Sequence, residues 1–192
     1  HCVVGCYMMN VKGRTIFLAD ATVNVYPDSR TLAEIAVQTA KVARRFGVAP
    51  RVAMLSFSNF GSSRAQRSER IEDAIEFARE LDPSLVIDGP MQADTALNGD
   101  VQTEYPFMDF KGPANVLVLP NLAAANIAYK LLEELGDAEM TGPILEGMDK
   151  PVQLVARQDG VRHIVNMAAI CAADAIRQDS YWETLVTPTS DK

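Results

Sequence analysis

The stretch PVQLVARQDGVRHIVN, residues 151–166, places Arg157, Arg162 and His163 around the start of a helix, in a chain of formal net charge -7. Asp159 and Gly160 would close the preceding loop, so Arg157 would stand at the positive end of that helix. Backbone donors, the helix dipole and a guanidinium fork would then converge on one phosphate or carboxylate. His163, one turn in, is suited to proton transfer near neutral pH. The ordinary alternatives are a packed histidine and a solvated Arg162.

Three other segments carry chemistry-bearing residues at a strand end. SFSNFGSSR, with Ser58, Gly61 and Ser62, follows a strand and precedes a helix, where hydroxyls and backbone N–H groups can meet an anion. It lacks the second glycine and the lysine of a GxxxxGK phosphate loop, and a connection that simply needs its glycine explains it equally well. DGPMQADTAL brings Asp88 and Asp94 together. They have the chemistry for acid–base work or metal binding, and equally for capping a helix and pinning a turn. TGPILEGMDKP, with Thr141, Gly142 and Lys150, reads as a pocket wall or a rigid connector.

The elements that would hold these residues alternate in type. CVVGCYMM and TIFLAD, joined by NVKGR, read as an antiparallel hairpin. TLAEIAVQTAKVARRFG has apolar positions from Leu32 to Phe46 at helical spacing and stops at Gly47. RVAMLSFS is a short buried strand, and AQRSERIEDAIEFAREL a helix with Ile71, Ala74, Ile75, Ala78 and Leu81 on one stripe. LVID and ANVLVLP are further strands. NLAAANIAYKLLEELG is a helix capped by Asn121 and stopped by Gly136. AEMTGPIL is another strand. In the final helix Val161, Ile164, Val165, Ala168 and Ala172 are expected to face inward. The alternation predicts a three-layer α/β/α domain on a mostly parallel sheet with one antiparallel hairpin.

Composition narrows the function. With 192 residues, 48% of them apolar, the chain can bury a real core. The acidic balance argues against a nucleic-acid binder, so an anionic ligand needs a local basic pocket. Glu133, Glu134, Asp137, Glu139, Glu146 and Asp149 read as a solvated acidic face before a docking patch for a basic partner. Cys2, Cys6 and Cys171 form no metal-ligand spacing, and their sparseness suits a reducing cytoplasm. No apolar run has membrane-spanning length, so no membrane partner is expected. The chain opens directly on a strand, His1 reads as a remnant, and a longer natural N-terminal part is expected.

Six segments in order, ADATVNVYPDSRTLAEIA, RVAMLSFSNFGSS, IDGPMQADTAL, ANVLVLPNLAAANIAYKL, GPILEGMDKPV and IVNMAAI, resemble the phosphate acetyltransferase and butyryltransferase family. The resemblance implies a two-domain module of the isocitrate and isopropylmalate dehydrogenase type, with coenzyme A in the cleft between domains. Residues 1–150 would form one α/β subdomain, and residues 151–192 a helical segment returning to the other. In active members a Ser-Arg pair follows KPV and an Asp stands near the start of the last helix. The Arg holds the acyl phosphate, the Ser hydrogen-bonds the reacting group and the Asp acts as base toward the thiol. On this chain the Arg position is Arg157, the Ser position is Ala156 and the Asp position falls on His163.

EYPFMDFKGPANVLVLPNLAAANIAYKLLEELG and VRHIVNMAAI are similar to the transferase-like C-terminal domain of multidomain NADP-dependent malic enzymes. That resemblance implies a domain that binds acetyl-CoA as a regulator and joins subunits into a homo-oligomer, with little transferase activity of its own. NADP and a divalent metal would belong only to a malate-oxidising part outside this sequence. The residues expected to contact acetyl-CoA or its phosphates are Arg157, Arg162, His163, Gly142, Lys150, Ser58, Gly61 and Ser62. The rival expectations are a working phosphate acetyltransferase with His163 as base, and a purely structural dimerisation domain.

Overall fold

The computed structural model describes residues 2–61 and 66–186. Among them β1 (Val4–Val11), β2 (Arg14–Ala19), β3 (Val52–Leu55), β4 (Ile87–Met91), β5 (Val116–Val118) and β6 (Glu139–Glu146) form one sheet in the order β4-β3-β5-β2-β1-β6. β1 runs against both neighbours, and every other adjacent pair is parallel. The β1–β2 hairpin turns at Lys12 and Gly13, both with positive φ (50° and 72°), the geometry that lets a two-residue turn match strand twist.

Strict alternation along the central strands splits the core into two layers. Val52, Met54, Val116 and Val118 face α1 (Ser29–Arg45) and α2 (Gln66–Leu81). Ala53, Leu55, Leu117 and Leu119 face the opposite side, against α5 (Leu122–Leu135) and the short α3 (Ala93–Leu97). α4 (Gly99–Gln102) follows α3 directly. The three-layer arrangement with a mixed, mostly parallel sheet is as the alternation predicts.

α1 starts where the Asp28 carboxylate accepts from the Thr31 N–H, and α5 where the Asn121 side chain accepts from the Ala124 N–H. Leu32, Ile35, Ala36, Val42 and Ala43 are fully buried, while Phe46 at the end of the same stripe is exposed. In α2 the stripe is buried from Ile71 to Ala78, and Leu81 lies in solvent.

α6 (Val161–Val186) departs from expectation. Val161, Ile164, Val165, Ala168 and Ala172 face outward; Val161 is 78% exposed. The helix docks on the β6 edge of the sheet through a different stripe, His163, Met167, Cys171 and Asp174, with Met167 filling the core. The buried stripe mixes apolar and polar residues, which local periodicity does not mark, and an ion pair fastens it to the sheet. Arg45 Nη2 lies 2.6 Å from Glu146 Oε2, and its Nη1 3.5 Å from the buried Asp174. Asp174 also receives Arg177 at 3.1 Å. Arg45 thus ties α1, β6 and α6 together. Replacing Arg45 by Ala is expected to cost about 1–3 kcal/mol, because a buried carboxylate loses one of its two cations. A urea midpoint and faster amide exchange over residues 161–177 would register it. Among the described residues no helix is long and apolar enough to cross a membrane.

Candidate functional site

A cavity of about 640 Å³ opens beside the β1–β6 edge, between the second half of α5, the segment before α6 and the first turn of α6. Its walls include Tyr7, Tyr129, Gly142, Ala156, Asp159 and His163. Each wall has a local cause. Gly142, at φ +148°, lies so near β1 that a Cβ would fall 2.9 Å from the Cys6 carbonyl oxygen and 3.0 Å from the Tyr7 ring. Any side chain there would push β6 from β1. Tyr7 and Tyr129 stack with centroids 4.3 Å apart and planes 17° from parallel. Burial, then the neighbouring Tyr129 hydroxyl, holds the Tyr7 phenol well above its usual range, so it remains a neutral donor at physiological pH. Lys130 stands 5.0 Å from the Tyr129 ring centroid, and its hydrogen bond with that tyrosine raises the ammonium pKa.

At the mouth, the Ala156 N–H donates to Asp159 Oδ2 over 2.6 Å, and the Asp159 N–H donates back to the Ala156 carbonyl. This closed turn fixes Asp159 just before α6. His163 Nε2 lies 3.5 Å from the same Oδ2, buried and without a hydrogen bond. Asp159 thus faces the imidazole at the cavity wall. Arg157 projects from that turn into solvent and makes no hydrogen bond or ion pair with any described residue. The rim mixes signs: Glu133, Glu134 and Asp159 stand against Lys130.

The structure brings Gly142, Ala156 and His163 to one cavity and Arg157 beside it. Arg162 turns away, 85% exposed and 3.9 Å from Glu139, on a shallower hollow between β6 and α6. Lys150 is exposed outside the cavity walls. Ser58 and Gly61 follow β3, four strand spacings from β6, roughly 19 Å away across the sheet. The Ser58 hydroxyl is buried without a partner among the described residues, and Gly61 takes φ +73°. Ser62 lies outside the described residues.

Asp88 and Asp94 are spent on backbone. Asp88 accepts from Gly89 and Asp109 N–H groups, each at 2.8 Å, and burial raises its pKa. Asp94 accepts from the Thr95 N–H. The Cys2 and Cys6 thiols are pushed up to about 12, chiefly by burial, which makes them poor nucleophiles at neutral pH. Sequence reasoning passed over two features. The Tyr7–Tyr129 pair shows only once α5 is laid over β1. Asp20 is buried and accepts from the N–H groups of Gly5, Thr22, Val23 and Asn24. An apolar strand running straight into an aspartate was the available signal for it.

With this fold and cavity, the chain belongs to the phosphate acetyl/butaryl transferase family, whose model matches residues 1–172. Its relatives are of two kinds. One is the NADP-dependent malic enzyme of Rhizobium meliloti (strain 1021), 42% identical over 175 residues, covering 91% of this chain and 23% of that protein. Another is the phosphate acetyltransferase of Bacillus subtilis (strain 168), 41% identical over 173 residues, covering 90% of this chain and 54% of that one. Among solved structures, a phosphotransacetylase from Streptococcus pyogenes superimposes with a TM-score of 0.87 at 37% identity, over 92% of this chain and 55% of that chain. The chain therefore spans about half of these two transferase relatives and under a quarter of this malic enzyme.

Proposed function

We propose that this chain is the phosphotransacetylase-like C-terminal domain of an NADP-dependent malic enzyme, binding acetyl-CoA as a regulator and carrying little or no acyl-transfer activity. The observation that carries the reading is the site at the start of α6. Arg157 is unspent, while Ala156, at the position of the family's serine, offers only a backbone N–H that Asp159 already takes. The phosphate-holding cation is kept and the hydroxyl that would assist reaction is gone. Losing one hydrogen bond that forms in the transition state costs about 10²–10³ in rate. NADP and a divalent metal would act in another part of the protein.

The exposed faces of the chain support the rest of this reading. The outward stripe of α6 suits a helix that returns to a second subdomain, as in a two-domain module of the isocitrate dehydrogenase type. On α5, Ile127, Leu131 and Leu135, 59%, 53% and 81% exposed, form an apolar stripe four residues apart, suited to contact between copies in a homo-oligomer. Acetyl-CoA would regulate by binding one arrangement of the assembly better than another. In a protein joining this domain to its malate-oxidising part, acetyl-CoA should change malate turnover. Identical turnover with and without it would sink the reading.

One observation favours an active acetyltransferase instead: His163 lines the cavity with the Asp159 carboxylate 3.5 Å from its Nε2, a partner that would orient the ring for proton transfer at its other nitrogen. Formation of acetyl-CoA from acetyl phosphate and CoA, abolished by His163→Ala, would establish that alternative.

A further inference from the structure

A second cavity, of about 320 Å³, lies at the carboxyl ends of β3 and β5. These two strands are neighbours, yet the helices that follow them depart to opposite faces. α2 packs through Ile71, Ala74 and Ile75 on one core layer, and α5 through Ala125 and Tyr129 on the other. The chain ends of β3 and β5 are thereby splayed apart, opening a crevice at a switch point of the sheet. Open α/β sheets bind their ligands in such crevices.

The polar side chains lining this crevice are donors that no described carboxylate meets. Arg70 reaches in from α2, with Nη1 donating to the Pro27 carbonyl at 3.0 Å and Nη2 to the Pro120 carbonyl at 2.9 Å. Its Nε is buried and unpartnered. No described carboxylate faces it, in contrast to Arg45, which meets two, and Arg44 and Arg79, which each meet one. The Ser56 hydroxyl lines the wall and is not spent on any described residue. Asn121 uses its side-chain oxygen to cap α5 at Ala124, which leaves its NH₂ free to donate. The first-turn amides of α5 are not what makes the site. Ala124 N–H is taken by that cap and Leu122 N–H by the Val25 carbonyl.

At the mouth stand two aromatic rings, Tyr26 at 81% and Phe57 at 58% exposure. Exposed rings beside a cation and neutral donors suit a ligand that is planar at one end and anionic at the other. We propose that this crevice is a second ligand site, one that takes a nucleoside monophosphate or a ligand of the same chemistry. The phosphate sits on Arg70, Ser56 and Asn121, and the base on Phe57 and Tyr26. This site is separate from the cavity at Ala156 and His163, and does not depend on the acetyl-CoA reading.

Titration calorimetry on the whole chain with AMP tests it, with adenosine and inorganic phosphate as the two half-ligands. AMP should bind with a Kd of about 10⁻³ M or tighter, and each half at least about tenfold more weakly. Arg70→Gln should weaken AMP at least about tenfold, and Phe57→Ala or Tyr26→Ala about threefold or more. Arg79→Gln, which removes a cation on the same helix outside the crevice, should leave AMP binding unchanged. Because Arg70 also holds two loop carbonyls, circular dichroism must show the variant folded. Should it fail to fold, Ser56→Ala, expected to weaken AMP about threefold or more, takes its place. Absence of AMP binding at about 10 mM overturns the proposal. So does an unchanged affinity in the deciding polar variant or in both aromatic variants, or loss of binding in Arg79→Gln.

Discussion

Arg157→Ala is expected to weaken acetyl-CoA binding by about ten- to hundredfold, the worth of a charge-assisted hydrogen bond to a phosphate. The folded protein should hardly notice, because the side chain is exposed and makes no hydrogen bond or ion pair with a described residue. Affinity and stability therefore separate in this variant. Arg157→Lys should recover part of the loss, since it keeps the charge but not the two-pronged geometry. Salt provides a second check: if the guanidinium meets a phosphate, raising ionic strength should narrow the gap between wild type and Arg157→Ala. Calorimetry of both proteins at low and high salt, with thermal unfolding alongside, measures all of this. Equal affinities for acetyl-CoA would remove Arg157 from the site.

The fold was legible in the sequence wherever a short apolar run was unbroken or a helix carried one apolar stripe. RVAML and NVLVLP each alternate between two buried layers, and such runs read as strands whichever helix covers them. The hairpin was legible because Lys12-Gly13 supplies two positive φ angles between apolar runs. The inward face of α6 was not. Its periodicity offered Val161, Ile164 and Val165, but burial follows Met167 and Asp174, and the selection is made by Arg45 on a helix more than a hundred residues earlier. A long-range ion pair leaves no mark on local periodicity. The candidate site divided in the same manner. His163 and Gly142 share a cavity because β6 leads into the segment before α6, a neighbourhood that chain order suggests. Ser58 and Gly61 lie across the sheet because β3 pairs with β5 and β4, and strand order is set by long-range packing. Arg70 escaped notice for a related reason: only the splaying of α2 and α5 to opposite faces turns an arginine near the start of α2 toward a strand end.

Asp20→Ala is expected to cost about 3–5 kcal/mol, the largest stability effect of any single change considered. One carboxylate oxygen takes N–H groups from Gly5 at 3.2 Å, Thr22 at 2.9 Å and Val23 at 3.1 Å; the other takes the Asn24 N–H at 2.9 Å and the Asn24 side-chain amide. Removal of the carboxylate, itself 2% exposed, strands the buried Gly5 N–H and leaves the part-buried donors of Thr22, Val23 and Asn24 without their common acceptor. Asp20→Asn should be milder, about 2–3 kcal/mol, because its single carbonyl oxygen can keep one group of donors while its NH₂ opposes the Asn24 amides. The order Ala worse than Asn, read from urea midpoints, distinguishes loss of a hydrogen-bonding hub from loss of a charge. A charge effect would make the two variants equal. The consequence reaches both cavities. Gly5 packs its backbone within contact of Thr22, and the Asn24 side chain binds the Val3 carbonyl, so this carboxylate fastens the loop after β2 to the start of β1. The same loop runs on to Tyr26 at the crevice between β3 and β5, and Tyr7, two residues beyond Gly5, forms a wall of the larger cavity. In Asp20→Asn, if it remains folded, ligand affinity should therefore fall at both sites together, whereas Arg157→Ala and Arg70→Gln should each affect one.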